Sequence, residues 1–258
     1  MKNEVSRFKA STVFEGMTSI RAVIKAADEG ISDRRITEVF YDTERRRAKE
    51  KEISYLEAVS SRYGFKVLPS SKEELDSVTV GSSHGGIVAR CTDRTVPSLS
   101  EDDVAKNGFY VMIEGIEDPY NFGYAIRSIY AAGCNGIVLT PRNWMSAAGV
   151  VCRSSAGASE MIPLFTATPD GAVDVFKRCG YKVAAAGIRD SVSAYDADLK
   201  YPIFLIVGGE KRGISRSTLD RCDTVVRLDY GRRFNASLSA ASAASILSYE
   251  ILRQNRDN

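Results

Sequence analysis

The sequence contains few residues that bind transition metals. It has one histidine, His84, and five widely separated cysteines without a Cys-x-x-Cys pair. A structural zinc site needs four closely spaced cysteine or histidine ligands, and an odd number of scattered cysteines does not indicate a disulfide framework. We therefore expect reduced thiols and no metal centre. The cysteines are Cys91, Cys134, Cys152, Cys179 and Cys222.

Long apolar runs, strong net charge and internal repeats are also absent. No run approaches the roughly 20 apolar residues that span a bilayer, and the polar start, Met1 to Glu4, does not resemble a signal peptide. The composition, 44% hydrophobic and 26% charged, is that of a globular protein, which we expect in the cytoplasm without a membrane partner. A net charge of only +2 excludes nucleic-acid binding through bulk electrostatics, so any RNA contact would depend on local basic clusters.

Residues 117–131 hold the most informative pattern, a turn that leads into a helix. Pro119 favours the turn, Asn121 is predicted to cap the helix, and apolar residues at helical spacing predict a buried face. Arg127 lies off that face, and Gly123 one turn earlier would let a bulky ligand approach its guanidinium. A phosphate or carboxylate site and an ordinary capped helix with a solvated arginine stay equally open on this segment alone. The predicted buried residues are Phe122, Ile126, Ile129 and Tyr130.

Two later segments make the pattern specific. Residues 207–215 follow the end of an apolar run at 203–207, and residues 234–241 follow the run 224–228. In this order, the three segments resemble the three sequence motifs of the SpoU (TrmH-like) family, ribose 2′-O-methyltransferases that use S-adenosylmethionine on RNA. Residues 153–158 with 162–164 also resemble the family's segment between its first two motifs. The resemblance extends from residue 109 to residue 253.

The glycines of the second segment do not fit other nucleotide-binding loops. Ile214 stands where a phosphate-binding loop needs lysine, and no Gly-x-Gly-x-x-Gly follows an early strand. What remains is a strand that ends at Gly208 and Gly209, where exposed backbone groups can contact an adenine edge. A simple turn is the alternative.

The predicted elements favour an α/β fold with two domains. From residue 109, apolar runs alternate with helices, which predicts a mostly parallel sheet, and the polar stretch 92–103 is typical of a linker. We expect a small RNA substrate-binding domain at residues 1–94, a linker at 95–107 and a SpoU-type methyltransferase domain at 108–258. The predicted strands are 36–41, 65–68, 86–90, 110–113, 136–139, 182–186, 203–207 and 225–228, and the predicted helices of the first domain are 20–29, 44–63 and 72–76.

The first domain also has a family counterpart. Residues 15–21 and 83–89 resemble the small α/β domain that precedes the catalytic domain in several SpoU-type enzymes and is akin to certain ribosomal RNA-binding proteins. His84 precedes two glycines and a strand, which favours a turn-forming residue over a base, while the resemblance places it beside RNA. The linker predicts that a chain without residues 1–100 would fold and bind cofactor but lose its affinity for RNA.

The resemblance implies that S-adenosylmethionine lies in a deep trefoil knot, where backbone groups of the second and third motifs hold it. The chain departs from the family pattern at Gly209, where asparagine is usual, and at residues 227–229 and 233–235, where Ile-Pro-Met and Ser-Leu-Asn are usual. These departures leave open a non-catalytic RNA-binding protein on the same scaffold. By position, the cofactor-binding residues are Thr140, Val207, Gly208, Gly209, Leu228, Phe234 and Ala236.

The resemblance also implies the catalytic residues. Arg127 would clamp an RNA phosphate and orient the ribose hydroxyl, because a guanidinium stays protonated and is a poor base. Asn121 would position Arg127 or the ribose, and Glu210 would hold the second-motif loop or accept a hydrogen bond. Asn235, together with Ser237, would cap the last helix while facing the site.

RNA and a second copy of the chain are the expected partners. Basic clusters are usually solvated faces, but Arg232 and Arg233 abut the third motif and are expected to contact RNA. The last helix, predicted over residues 235–253, is rich in small residues, and related enzymes pair through such a helix, so we expect a homodimer. The added N-terminal domain favours ribosomal RNA over transfer RNA.

Overall fold

The computed structural model describes residues 12–80, 84–116, 118–140, 147–209 and 213–256. The described residues form two compact units. The first combines residues from 1–95 and 143–161, and the second combines residues from 96–142 and 162–258. Within these ranges, no helix is both long enough and apolar enough to cross a membrane. All five cysteines are free thiols, as predicted.

The first unit is built on a four-stranded sheet. Its strand order is β1-β4-β2-β3, with β4 antiparallel to β1 and β2, and β3 parallel to β2. The predicted strands and helices of this region are all present, with ends shifted by a few residues. The elements are β1 (Val13–Glu15), α1 (Gly16–Asp28), β2 (Ile36–Asp42), α2 (Glu50–Tyr63), β3 (Lys66–Ser70), α3 (Lys72–Val78) and β4 (Ile87–Cys91).

The charged helix α2 begins later than predicted. It starts at Glu50 rather than at residue 44, because the Asp42 side chain accepts a hydrogen bond from the Glu44 N–H (2.9 Å) and starts a separate 3-10 turn, Thr43–Arg45. The helix ends at Gly64, whose left-handed conformation (φ 73°) is the usual helix terminator.

His84 forms a turn, as its sequence context predicted. The ring is buried, its Nδ1 accepts a hydrogen bond from the Gly86 N–H (3.1 Å), and its Nε2 lies 2.9 Å from Asp76 Oδ1. Because Nδ1 accepts, Nε2 carries the proton and donates to the carboxylate. Contact of this histidine with RNA stays a prediction.

The rest of the chain forms a seven-stranded sheet with its flanking helices, together with two helices that pack with the first unit. The seven strands follow the order β7-β6-β5-β10-β8-β11-β9, and each described pairing is parallel. This confirms the predicted mostly parallel sheet. The elements are β5 (Phe109–Ile113), α4 (Pro119–Ala131), β6 (Gly136–Leu139), α5 (Ala148–Ser154), α6 (Ala158–Met161), β7 (Leu164–Thr166), α7 (Pro169–Arg178), β8 (Lys182–Ala186), β9 (Val192–Ser193), β10 (Ile203–Val207), α8 (Arg216–Leu219), β11 (Thr224–Arg227) and α9 (Ala240–Gln254).

Strand order reverses around β5, which has β6 on one side and β10, far later in the chain, on the other. In open parallel sheets, ligands bind beyond the carboxyl ends of the strands at such a reversal. The sheet packs around an aromatic core in which the rings of Phe176 and Phe204 stack with their centroids 4.0 Å apart. The topology therefore directs attention to the carboxyl ends of β5 and its neighbours.

Helices α5 and α6 pack with the first unit, although the predicted methyltransferase domain, residues 108–258, includes them. Ala148 and Cys152 belong to the apolar core beneath the four-stranded sheet. A Cβ at Gly149 would overlap with the carbonyl oxygen of Val13, so only glycine allows α5 to lie so close to β1. Residues 147–161 are therefore part of the first unit's core.

Two buried arginines strengthen this packing. The Arg34 side chain is 1% exposed, and its Nε donates to Glu160 Oε2 at 3.0 Å, while its Nη1 donates to the Thr92 carbonyl at 2.7 Å. Arg94 Nη1 donates to the Ser159 carbonyl at 2.7 Å, and burial lowers the pKa of Arg94. Arg34 and Arg35 are adjacent in the sequence, and such basic runs are usually solvated, but the structure shows Arg34 in a buried ion pair.

Candidate active site

A cleft of about 1080 Å³ opens in the second unit at the carboxyl ends of β8, β10 and β11. Its walls are the residues that follow these strands, the glycines Gly208, Gly209 and Gly213 (here called the glycine turn), residues 228–230 and 234–238, and α9. The cleft lies at the carboxyl edge of the sheet, and β10, one of its three strands, adjoins β5 at the strand reversal.

At the glycine turn, the backbone around Gly208 and Gly209 lies very close to neighbouring backbone segments. The Gly213 N–H donates to the Gly209 carbonyl at 3.0 Å. A Cβ at Gly208 would lie 2.7 Å from Ile214 N, and a Cβ at Gly209 would lie 2.5 Å from the Gly115 carbonyl oxygen. The asparagine usual in the family would therefore not fit at position 209 without a shift of the backbone.

The start of α8 holds the far end of this turn. The Ser215 hydroxyl accepts from the Thr218 N–H at 3.2 Å, which caps α8, and the buried Thr218 hydroxyl donates to Asp170 Oδ1 at 2.7 Å. These bonds tie the turn to α7.

The cleft brings together six of the seven residues that the family resemblance assigned to cofactor binding. Thr140 is the exception, because it follows β6, which is separated from β10 by β5. Asn235 lines the cleft as well, and Glu210 lies outside the described residues. The six lining residues are Val207, Gly208, Gly209, Leu228, Phe234 and Ala236.

Asn121 and Arg127 are not among the described residues that line the cleft, since both lie on α4. The prediction that Asn121 caps this helix is wrong. Asp118 is the cap, because its Oδ1 accepts from the Asn121 N–H at 2.8 Å and Pro119 occupies the first helical position. The predicted buried face is correct for Phe122, Ile126 and Ile129, and Tyr130 is half-buried. Arg127 is exposed, as its place off that face predicted.

The predicted cap of the last helix is also wrong. Helix α9 begins at Ala240, where the Ser239 hydroxyl accepts from the Ser242 N–H at 3.1 Å. Asn235 and Ser237 therefore lie in the preceding loop, and both are exposed. Their side chains have no capping role, so they are open to a ligand.

One wall of the cleft contains a charged pair that sequence reasoning missed. Arg227 Nε donates to Asp229 Oδ1 at 2.8 Å, and Arg227 Nη1 donates to the Ser191 carbonyl at 2.6 Å. Hydrogen bonds from the Ser193 hydroxyl and the Arg227 guanidinium lower the pKa of the Asp229 carboxyl. The departure from the family pattern at residues 227–229 marked this place in the sequence. The resemblance did not predict that its charged residues would pair.

The family model for the SpoU rRNA Methylase family matches residues 108–249. The chain belongs to this family. That membership confirms the resemblance seen in the three motifs. A 23S rRNA (guanosine-2′-O-)-methyltransferase, RlmB, from Shewanella oneidensis is 28% identical over 256 residues, which cover 96% of this chain and 99% of the relative. A putative TrmH family tRNA/rRNA methyltransferase from Staphylococcus haemolyticus is 28% identical, with 71% of this chain and 75% of the relative covered.

Solved structures share the fold of this SpoU family member. An AdoMet-bound rRNA methyltransferase from Sinorhizobium meliloti superposes with a TM-score of 0.77 at 23% identity, covering 94% of this chain and 87% of that one. The SpoU methyltransferase AviRb from Streptomyces viridochromogenes, also crystallised with AdoMet, gives a TM-score of 0.74 at 20% identity, with 94% and 89% covered.

Proposed function

We propose that this protein transfers a methyl group from S-adenosylmethionine to a ribose 2′-hydroxyl of ribosomal RNA. The observation that carries the proposal is the cleft at the carboxyl ends of β8, β10 and β11, which is lined by the second and third motifs of a chain that belongs to the SpoU family. The full-length relative named above is a 23S rRNA (guanosine-2′-O-)-methyltransferase, so guanosine in 23S rRNA is the first substrate to test. The cytoplasm is the location that such a substrate implies.

The cleft suits a cofactor of this size and chemistry. Ligand sites commonly occupy roughly 300–1,000 Å³ and are mostly apolar with a few polar groups. Leu228, Phe234 and Ala236 supply apolar surface, and Gly208 and Gly209 supply backbone groups that carry no side chain of their own. Val207, Gly208 and Gly209 would hold the adenosine part. When bound, S-adenosylmethionine supplies an electrophilic methyl group on a sulfonium.

Gly209→Ala is expected to abolish measurable binding of S-adenosylmethionine. The new Cβ would meet the Gly115 carbonyl oxygen at 2.5 Å, and the strand end that lines the cleft must move to relieve the overlap. Gly231→Ala is the matched control, because a Cβ at Gly231 meets nothing within 4 Å. Isothermal titration calorimetry on both variants measures the effect. Equal affinities in the two variants would show that the glycine turn does not take part in cofactor binding.

Catalysis would depend on aligning the ribose hydroxyl with the methyl group and on removing a proton from it. Arg127 is proposed to clamp an RNA phosphate and so orient the hydroxyl, with Asn121 positioning Arg127 or the ribose. Asn235 faces the cleft from an exposed loop, where it can contact the reacting ribose. Glu210 keeps its proposed role in holding the second-motif loop.

A homodimer through the second unit is part of the proposal. Helices α4 and α9 pack together, and their outer faces expose large apolar side chains: Tyr120 (42%) and Tyr124 (53%) on α4, and Ile246 (46%) and Tyr249 (51%) on α9. Large exposed apolar patches usually mark protein contacts. Arg127 is three residues beyond Tyr124, so pairing through this face would bring it to the contact between protomers.

Arg232→Ala combined with Arg233→Ala is expected to weaken RNA binding and to flatten its dependence on salt. Both arginines are exposed beside the cleft-lining segment, and each lost phosphate contact lowers the slope of log affinity against log salt by roughly 0.7–0.9. Filter binding to ribosomal RNA between low and physiological salt measures this slope. Arg256→Ala, also exposed, is the control. An unchanged slope in the double variant would mean that these arginines are only solvated.

Calorimetry with S-adenosylmethionine and transfer of labelled methyl to ribosomal RNA test the function directly. Transfer to a 2′-hydroxyl is expected, with the product identified after nuclease digestion. The alternative, a non-catalytic RNA-binding protein, is favoured by the charged pair at Arg227 and Asp229 in the altered third motif. RNA binding without any cofactor binding at millimolar concentration would establish that alternative. The trefoil knot of the family and an RNA-binding role for residues 1–94 belong to the same proposal.

A further inference from the structure

Large apolar side chains are exposed in the lining of the cleft and on the segment after β9, which pairs with the cleft-lining strand β11. Tyr195 is 74% exposed, the highest value for a large apolar side chain in the described part of the chain, and Ile188 is 68% exposed. Tyr230 and Phe234 belong to the third-motif segment, and their rings are in edge-to-face contact with centroids 5.7 Å apart. Ile188, Tyr230 and Phe234 all line the cleft. Apolar surface left open at the mouth of a site indicates that something covers it.

The backbone beneath Tyr195 is firmly held. Tyr195 follows the edge strand β9, and the Ala194 N–H donates to the Arg227 carbonyl at 2.9 Å. The Tyr195 N–H donates to the Ser193 hydroxyl at 3.2 Å, and that hydroxyl also bonds to the Asp229 carboxylate. The wall of the cleft therefore fixes the position of Tyr195 while its ring stays in solvent.

Arginines at the same mouth divide into two groups. Arg216 and Arg227 are paired with aspartates, at 2.9 Å to Asp220 and 2.8 Å to Asp229. Arg189 lines the cleft and is exposed, and within the described ranges it makes no hydrogen bond or ion pair. Its charge is therefore available to an anionic ligand at the cleft.

We propose that the mouth of the cleft, defined as Ile188, Arg189 and Tyr230 of its lining together with Tyr195 on the adjoining segment, binds an unpaired nucleotide that neighbours the methylated one. Exposed aromatic rings stack on bases only where the base faces are free, as in single-stranded RNA, and an unpaired arginine contacts the phosphate. In a duplex, neighbouring base pairs cover those faces. The inference rests on the proposed function and specifies its substrate as a target in an unpaired segment of RNA.

Binding of a short fluorescein-labelled single-stranded RNA to the full chain tests the inference, with the same RNA annealed to its complement as the second probe. Tyr195→Ala is expected to weaken single-strand binding roughly tenfold, since loss of one stacked base costs about that much, and to change duplex binding little. Tyr195→Phe keeps the ring and should bind the single strand like the wild type. Arg189→Ala should lower the salt slope by roughly one, while Arg256→Ala should not.

The outcomes distinguish this inference from the proposed function. Calorimetry of Tyr195→Ala should show normal affinity for S-adenosylmethionine, because Tyr195 does not line the cleft. If the wild type fails to bind the cofactor but the RNA results hold, the proposed methyl transfer fails, whereas binding of an unpaired nucleotide at the mouth stands. If Tyr195→Ala binds single strands normally, the inference is wrong. It is also wrong if the variant instead changes the sedimentation of the protein, since the mouth would then be a contact between copies of the chain.

Discussion

Arg127→Ala is expected to reduce methyl transfer by roughly a hundredfold or more, with affinity for S-adenosylmethionine and thermal stability close to those of the wild type. Arg127 is exposed on α4, off the buried face formed by Phe122, Ile126 and Ile129, so truncation leaves no cavity in the core. The described lining of the cleft does not include it, so cofactor binding should not depend on it. Its proposed role is to hold RNA at the reacting ribose.

Single-turnover transfer of labelled methyl to ribosomal RNA that lacks the modification measures this effect. Arg127→Lys should recover little activity, because an ammonium cannot reproduce the planar, forked contact of a guanidinium with phosphate. Arg256→Ala, another exposed arginine, should transfer at the normal rate. A near-normal rate in Arg127→Ala would remove this residue from catalysis and with it the phosphate-clamp mechanism.

Sequence alone predicted the central strands well because burial on both faces makes them continuous apolar runs. The ends of β6, β8 and β10 agree with the prediction at every residue. The short edge strand β9 was missed, since it has two residues and Val192 is 45% exposed, so no apolar run marks it. The start of α2 was misplaced because a side chain at the end of β2 captures the first N–H of the next turn.

For the candidate site, the family motifs predicted which residues lie together, whereas the local hydrogen bonds at the helix ends were predicted wrongly. The motifs predicted six residues that now line one cleft, because the loops after β10 and β11 carry them to the same edge of the sheet. Both helix caps were assigned to the wrong polar residue. Asp118 and Ser239 each stand directly before the first helical residue, and each side chain accepts a hydrogen bond from the N–H three residues later. Sequence spacing does not show which of several neighbouring polar residues takes this position.

Membership of α5 and α6 in the first unit could not be predicted from pattern. The contacts that decide it join residues more than a hundred positions apart, as in the pair of Arg34 with Glu160 and that of Glu15 with Arg153. Each charged residue looks like a surface residue in the sequence, and only the fold shows that Arg34 and Glu160 are 1% and 3% exposed. The polar linker at 92–103 suggested a single crossing between domains, whereas the chain returns to the first unit once more.

Glu160→Ala is expected to destabilise the first unit by about 3–5 kcal/mol, because it leaves the buried Arg34 guanidinium without its carboxylate. Equilibrium unfolding in urea, followed by circular dichroism, measures the change. Glu101→Ala is the matched control: its partner Arg178 lies at 2.5 Å, but both side chains are more than half exposed, so stability should hardly change. The double variant Arg34→Met with Glu160→Leu should recover much of the loss, since it removes both buried charges together.

The same ion pair changes the expected result of deleting residues 1–100. The deletion removes Arg34 and the apolar core around Ala148 and Cys152, so α5 and α6 lose the surface on which they pack. We therefore expect the shortened chain to aggregate, whereas the linker alone predicted a folded domain that binds cofactor. A soluble deletion variant with normal affinity for S-adenosylmethionine would show that residues 147–161 do not need the rest of the first unit. A Glu160→Ala protein as stable as the Glu101→Ala control would show that the buried pair contributes little to the fold.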